Sequence, residues 1–273
     1  MAAQVPPAGR LSAPPAWALA RVPGLEHGAA PVALAPLAGG SVNEVFRVDT
    51  PLGCFVLRLN GPAWLRPGVE RERELALHRA AAAAGIAPAI VHADPAAQGL
   101  LITQFEFGRL WRQQDYADAT ALRRLGERLQ ALHALPAPQI ARFDPWQVAQ
   151  AYLRQMRVAP PLEPLSRLEQ CCAALERDQR PGCIVHGDLA ESNLLEGSRL
   201  WLLDWEYAQH GDPLMDVACV LAYYPAAQPL AAELAAAAGL GVVQGEALAL
   251  RVYIYRALSW LWSLARGEPA AAP

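Results

Sequence analysis

Apolar and polar positions follow two different rhythms along this chain. Residues 1 to about 30 show little of either, being crowded with alanine and proline, and are expected to form a flexible tail or one short helix. From Val32 the pattern alternates: Val-Ala-Leu-Ala-Pro-Leu, then Glu-Val-Phe-Arg-Val-Asp-Thr, then Cys-Phe-Val-Leu-Arg-Leu after Pro51-Leu52-Gly53. A period of two with turn residues between runs predicts three antiparallel strands. The stretch 68–84 is rich in alanine, leucine and charge and predicts a helix that Gly85 ends, with Pro88 soon after. Strands are predicted again at 89–92 and 100–105.

Beyond residue 108 the helical rhythm takes over. Leu122, Leu125, Leu129 and Leu132 form an i, i+3, i+7 stripe in a helix over 118–135, which Pro136 ends. Further helices are predicted over 146–156, 162–177, 213–224, 230–238 and 245–266. Strands followed by helices place the chain in the α/β (α+β) class. Two short branched runs, Cys183–Val185 and 200–203, interrupt the helices and read as buried strands.

These two runs carry the chemistry. Asp188 follows the first and Asp204 ends the second, with Asn193 between them, five residues past Asp188. Strands ending in carboxylates place them rigidly. Such a set suits Mg²⁺, which takes oxygen ligands and usually only one or two carboxylates beside phosphate oxygens. It also suits a base, because a carboxylate can accept the proton of a hydroxyl attacking phosphorus. Gly39 and Gly40, followed by Ser41 and Asn43, sit in the first predicted turn, where glycine lets backbone N–H groups approach a phosphate.

The run His186-Gly-Asp188-Leu-Ala-Glu-Ser-Asn193, then Leu-Leu-Asp204-Trp-Glu-Tyr207 and Gly-Asp-Pro-x-x-Asp216, resembles the aminoglycoside phosphotransferase and choline kinase superfamily, within the protein-kinase-like fold. It is most similar to the choline and thiamine kinase members, over about residues 32 to 266. The resemblance implies two lobes: a nucleotide-binding β-sheet lobe with one helix at 31–108, and a mainly helical catalytic and acceptor-binding lobe at 109–273. It implies Asp188 as catalytic base, His186 as a brace of the catalytic loop, Asp216 as its backbone anchor, and Asn193 and Asp204 as Mg²⁺ ligands. Gly39, Gly40, Ser41, Asn43 and Arg58 would meet the ATP phosphates, Glu74 would pair with Arg58, and Gln104, Phe105 and Glu106 would meet adenine. For the acceptor, Tyr207, Trp262 and Trp260 match positions of an aromatic cage, which attracts a quaternary ammonium.

Composition changes this picture at one position. All 23 positive residues are arginine, so the third predicted strand carries Arg58 where the wider fold carries lysine, and no lysine elsewhere replaces it. A net charge of −3 argues against nucleic acid as a partner. The longest apolar runs fall short of a membrane span, and prolines interrupt any signal-peptide core, so a cytoplasmic protein is expected. Five scattered cysteines without a C-x-x-C pair read as reduced thiols. The expectation is an ATP- and Mg²⁺-dependent transfer of phosphate to a small alcohol, choline first, thiamine next, an aminoglycoside third. A nucleotide-binding pseudokinase scaffold is the alternative outside the enzymes.

Overall fold

The alternation becomes a sheet. Strands β1 (Ala33–Pro36), β2 (Glu44–Thr50), β3 (Gly53–Leu59), β4 (Ile90–Asp94) and β5 (Leu100–Gln104) pair antiparallel in the order β1-β2-β3-β5-β4. On β2, Phe46, Val48 and Thr50 are buried in turn, and on β3 Phe55, Leu57 and Leu59 point to the same core. A computed structural model describes residues 11–37, 43–61, 69–94, 99–178, 180–243 and 245–273, and this sheet belongs to the first of its two compact units, drawn from residues 1–65 and 89–105. Part of the expected loose tail is packed here. After the short helix α1 (Ala16–Leu19), Val22 and Leu25 join Ala18 against the sheet, all three no more than 1% exposed.

The second unit comprises residues 66–88 and 106–273. It takes in α2 (Arg71–Ala83), the helix that the sequence assigns to the first lobe, because Leu77 and Ala81 pack with this unit's core. Helix α3 (Ala119–His133) buries its predicted leucine stripe completely, and Asp118 caps it by accepting the Ala121 N–H at 2.7 Å. Gly126 lies on the same face. A Cβ there would stand 2.5 Å from that of Ala237 on α7 (Ala231–Ala237), so glycine permits this helix pair to approach. A second cluster joins α4 (Pro145–Leu153), α5 (Leu162–Arg177) and α8 (Gly245–Ala265).

Five strands of two or three residues complete the unit: β6 (Arg109–Leu110), β7 (Cys183–Val185), β8 (Leu194–Glu196), β9 (Leu200–Leu202) and β10 (Gln209–Gly211). They form an antiparallel β6-β8-β9 sheet and an antiparallel β10-β7 pair. Helix α6 (Leu214–Tyr223) follows directly. All five cysteines are free thiols, and among the described residues no helix is long and apolar enough to cross a membrane.

One buried ion pair fixes α8. Arg251, fully buried, donates through Nε to Asp212 Oδ2 at 2.9 Å, and through Nη1 to the Ala247 carbonyl at 2.8 Å. Asp212 in turn accepts the Leu214 N–H at 2.9 Å, where α6 begins. Removing one partner of a buried pair leaves an uncompensated charge, which costs about 3–5 kcal/mol. Arg251→Met is therefore expected to lower unfolding free energy by about that amount in urea titrations. A loss under about 1 kcal/mol would show that the pair does not hold α8.

Candidate active site

The site is built around a carboxylate that solvent does not reach. Asp216, in the first turn of α6, has no exposed surface. Its Oδ2 accepts the His186 N–H at 3.1 Å and its Oδ1 accepts the Gly187 N–H at 2.9 Å. His133 Nε2 approaches Oδ2 at 2.9 Å from the end of α3. Two consecutive backbone donors on one carboxylate fix the turn that follows β7. Gly187 makes that turn with φ +74, and a Cβ on it would meet the Tyr207 carbonyl oxygen at 2.7 Å.

Along the loop the polar groups are satisfied one by one. The buried His186 accepts the Asp188 N–H at Nδ1 (3.3 Å), so its Nε2 carries the hydrogen that faces the Leu203 carbonyl at 2.9 Å. Its ring also meets Trp205 edge-on at 4.8 Å. Burial pushes the imidazole pKa below its ordinary value, against the pull of Asp216, and a neutral ring fits both contacts. Asn193 reaches back to Asp188, donating from Nδ2 to its backbone oxygen at 3.0 Å and to Oδ2 at 2.8 Å. That fixes the amide: Nδ2 faces the aspartate and Oδ1, which accepts from Ser192 Oγ at 3.1 Å, retains an acceptor position.

Asp204 is the one residue other than glycine with positive φ among the described residues, at φ 55 and ψ 79. Asp tolerates this region better than most residues, but the conformation must still be imposed by its neighbours. Two contacts impose it: the Leu203 N–H donates to the Asn193 carbonyl at 2.8 Å, and the buried Trp205 donates from Nε1 to the Leu202 carbonyl at 3.0 Å. Asp188, Asn193 and Asp204 thus sit on one braced frame.

The braces come from residues without a sequence signature. Tyr116 donates to the Leu189 carbonyl at 2.8 Å, Tyr224 accepts the Glu191 N–H at 2.8 Å, and Tyr255 donates to the Gly187 carbonyl. Tyr116 and Tyr224 stack with centroids 3.5 Å apart. The Leu189 N–H ends on the Cys219 sulfur at 3.2 Å. Burial raises the pKa of Cys219 and Tyr255 well above their ordinary values, so both stay protonated. His133, at the end of α3, holds the anchor itself.

The proposed nucleotide residues divide between the units. Gly39, Gly40 and Ser41 lie outside the described residues. Asn43 is buried and its Oδ1 accepts the Gly61 N–H at 3.2 Å. Arg58 occupies the central strand β3 opposite Val45 and Leu101 and is only 7% exposed, so it is not a solvent-facing arginine on an edge strand. The N–H groups of Gln104 and Phe105 are committed to the Ala89 and Cys54 carbonyls, at 2.8 and 3.0 Å. In the second unit, burial raises the Glu106 pKa, and the buried Glu74 accepts from Arg71 at 2.7 Å. Arg71 also reaches Glu206 at 3.3 Å.

The aromatic positions come from two elements. Tyr207 closes the short turn after Asp204. Trp262 lies under the Arg266 guanidinium, 4.5 Å from its centroid, so an arginine of this chain already covers one face of the expected cage residue. Trp260 lines a cavity of about 330 Å³ with Tyr223, Arg256, Ser259, Ser263 and the C-terminal Pro273.

A phosphotransferase enzyme family model matches residues 33–251, four-fifths of the chain and the whole of this loop. The chain belongs to that family. Its members' fold recurs in solved structures. A choline/ethanolamine kinase family protein from Mesorhizobium loti is 28% identical, with a TM-score of 0.73 over 92% of this chain and 83% of that one. The choline kinase LicA from Streptococcus pneumoniae is 17% identical, with a TM-score of 0.75 over 89% of each chain. An aminoglycoside phosphotransferase solved with AMP-PNP and hygromycin B is 20% identical, with a TM-score of 0.64 over 89% of this chain and 90% of that one. No curated protein matches the chain. This phosphotransferase therefore has the kinase-like α/β fold, and its neighbours are named for acceptors of two kinds.

The neutral His186 sets a pH signature for this phosphotransferase. Its folded pKa lies below the unfolded value of about 6.5, so between the two the unfolded chain binds more protons. Its contribution is fully present above about pH 6.5 and is lost as pH falls from there to the folded pKa. His186→Gln is expected to flatten that part of the stability profile relative to wild type, measured as urea midpoints at successive pH values. Parallel profiles would place the charge-sensitive group elsewhere.

Proposed function

We propose that this phosphotransferase moves the γ-phosphate of ATP, with Mg²⁺, to the hydroxyl of a small alcohol. The observation that carries the reading is the Asn193 bridge to Asp188, with Asp204 held at positive φ on the same frame. Asp188 accepts the hydroxyl proton while the oxygen attacks phosphorus; the new O–P bond forms as the bond from phosphorus to the ADP oxygen breaks. Asn193 orients that carboxylate through Oδ2. The donor set fits a hard cation: the Asn193 amide oxygen and the Asp204 carboxylate offer oxygen ligands, and phosphate oxygens would supply others. A Mg²⁺ held by Asn193 and Asp204 would supply charge neutralisation at the transferring phosphate.

Arg58 and Asn43 are assigned to the nucleotide phosphates, together with Gly39, Gly40 and Ser41. Arginine keeps the charge and binds phosphate bidentately in place of lysine. Glu74 is assigned to orient Arg58, and Gln104, Phe105 and Glu106 to adenine, with the first two contributing carbonyls and side chains. Nucleotide use is supported by relatives solved with AMP and with AMP-PNP. A cytoplasmic setting belongs to the same reading.

The acceptor is compact. A cavity of about 330 Å³ is near the lower end for small-molecule sites and suits an amino alcohol the size of choline or ethanolamine better than a multi-ring sugar. No Asp or Glu lines it among the described residues, so it offers no acidic side chain to the several ammonium groups of an aminoglycoside.

Asp188→Asn is expected to keep ATP binding and lose at least ~10²-fold in kcat, because proton acceptance goes while shape remains. Wild-type turnover in that variant removes Asp188 from the mechanism. Asp204→Ala is expected to weaken nucleotide binding in Mg²⁺ and leave the Mg²⁺-free affinity unaltered, by isothermal titration. Equal affinities in Mg²⁺ for variant and wild type reject Asp204 as a ligand.

A further inference from the structure

The cavity beside α6 carries one charged side chain, and that side chain is positive. Arg256, Ser259, Trp260 and Ser263 line it at i, i+3, i+4 and i+7, one face of α8, with Tyr223 contributed by the end of α6. Arg256 is exposed and makes no hydrogen bond or ion pair with another described residue. Every other side chain on that stripe is neutral.

The cavity is linked to the catalytic loop. The Tyr223 ring meets Tyr255 edge-on at 5.4 Å, and the Tyr255 hydroxyl is bonded to the Gly187 carbonyl, one residue before Asp188. Burial raises the Tyr223 phenol pKa well above its ordinary value, and the charge of Asp188 adds to that. A small molecule in the cavity would meet the Arg256 guanidinium and the Ser259 and Ser263 hydroxyls, with Tyr223 and then Tyr255 leading from the cavity to the aspartate's loop.

We propose that this cavity is the acceptor pocket and that the acceptor is an alcohol bearing an acid group, its carboxylate held by Arg256 with Ser259 and Ser263. The inference rests on the phosphotransfer reading above and narrows it. A guanidinium fork matches a carboxylate in two parallel hydrogen bonds. A cationic alcohol lacking an acid would meet like charge at Arg256. A hydroxy amino acid satisfies both parts of the wall, with its carboxylate on Arg256 and its ammonium against the Tyr223 and Trp260 rings. Its hydroxyl is the oxygen phosphorylated by Asp188's proton acceptance, giving ADP and a phosphate monoester.

The test uses acceptors that differ by one carboxylate: ethanolamine against L-serine and 3-aminopropanol against L-homoserine, with choline and kanamycin alongside. Phosphate transfer from Mg²⁺–ATP is followed by ³¹P NMR and coupled ADP release. The acid of at least one pair is expected to exceed its partner in kcat/KM by roughly ten- to a hundredfold, the range of a hydrogen-bonded charge pair. Arg256→Gln is expected to erase that preference and Ser263→Ala to reduce it. Equal or better use of the alcohols without a carboxylate, choline included, overturns the acid pocket and leaves phosphotransfer standing. So does a preference that survives in Arg256→Gln with an unaltered melting temperature. Absence of transfer to every alcohol overturns the phosphotransfer reading and the pocket with it.

Discussion

The site depends on the buried carboxylate of Asp216. A carboxylate without solvent is costly unless its oxygens are hydrogen-bonded, and here two backbone N–H groups and the His133 ring supply the partners. Its place in the first turn of α6 adds the favourable end of the helix dipole. The requirement works in both directions. Asp216 needs the turn at His186 and Gly187 for its own satisfaction, and the turn cannot rotate without stranding it. Because His133 ends α3, the same atom pair also ties the leucine-striped helix to the loop.

From that anchor the loop is held at almost every second residue. Tyr255 takes the Gly187 carbonyl, Tyr116 the Leu189 carbonyl, Cys219 the Leu189 N–H and Tyr224 the Glu191 N–H. A polar network inside a protein is rigid when fully satisfied and expensive when it is not. Asp188 and Asn193 therefore project from a backbone with few alternatives. Preorganisation of this kind matters for phosphoryl transfer, in which positioning and electrostatics carry almost the whole acceleration.

Much of this was legible in the sequence where the signal is local. Alternation over 44–50 and 54–59 became β2 and β3, and the four leucines of α3 are fully buried. The His-Gly-Asp-x4-Asn run and Asp204 were visible because they are nearly contiguous. Tyr116, Tyr224, Tyr255 and His133 were not, since each reaches the loop from a different element and only the tertiary fold brings them together. Strands β6, β8 and β10 are too short to show a period. Helix α2 was read correctly as a helix, but the unit it packs with depends on Leu77 and Ala81 meeting distant partners. The tryptophans are the clearest case. The resemblance offers both Trp262 and Trp260, and only the helical phase of α8 shows that Trp260 turns to the cavity and Trp262 toward Arg266.

The absence of lysine gives the charge pattern a sharper meaning. Arginine stays ionised at any physiological pH, so an arginine taken out of water must find acceptors and cannot shed its proton instead. Two arginines of the second unit show how this is met. Arg251 is saturated by Asp212, Asp178 and two carbonyls, and Arg71 bridges Glu74 and Glu206. Arg256 can stand apart from that pattern because water reaches it. A ligand that displaces that water would have to bring its own acceptors. An acid group does so, and an ammonium does not. On that ground the acceptor's second functional group, more than its hydroxyl, decides what this cavity admits.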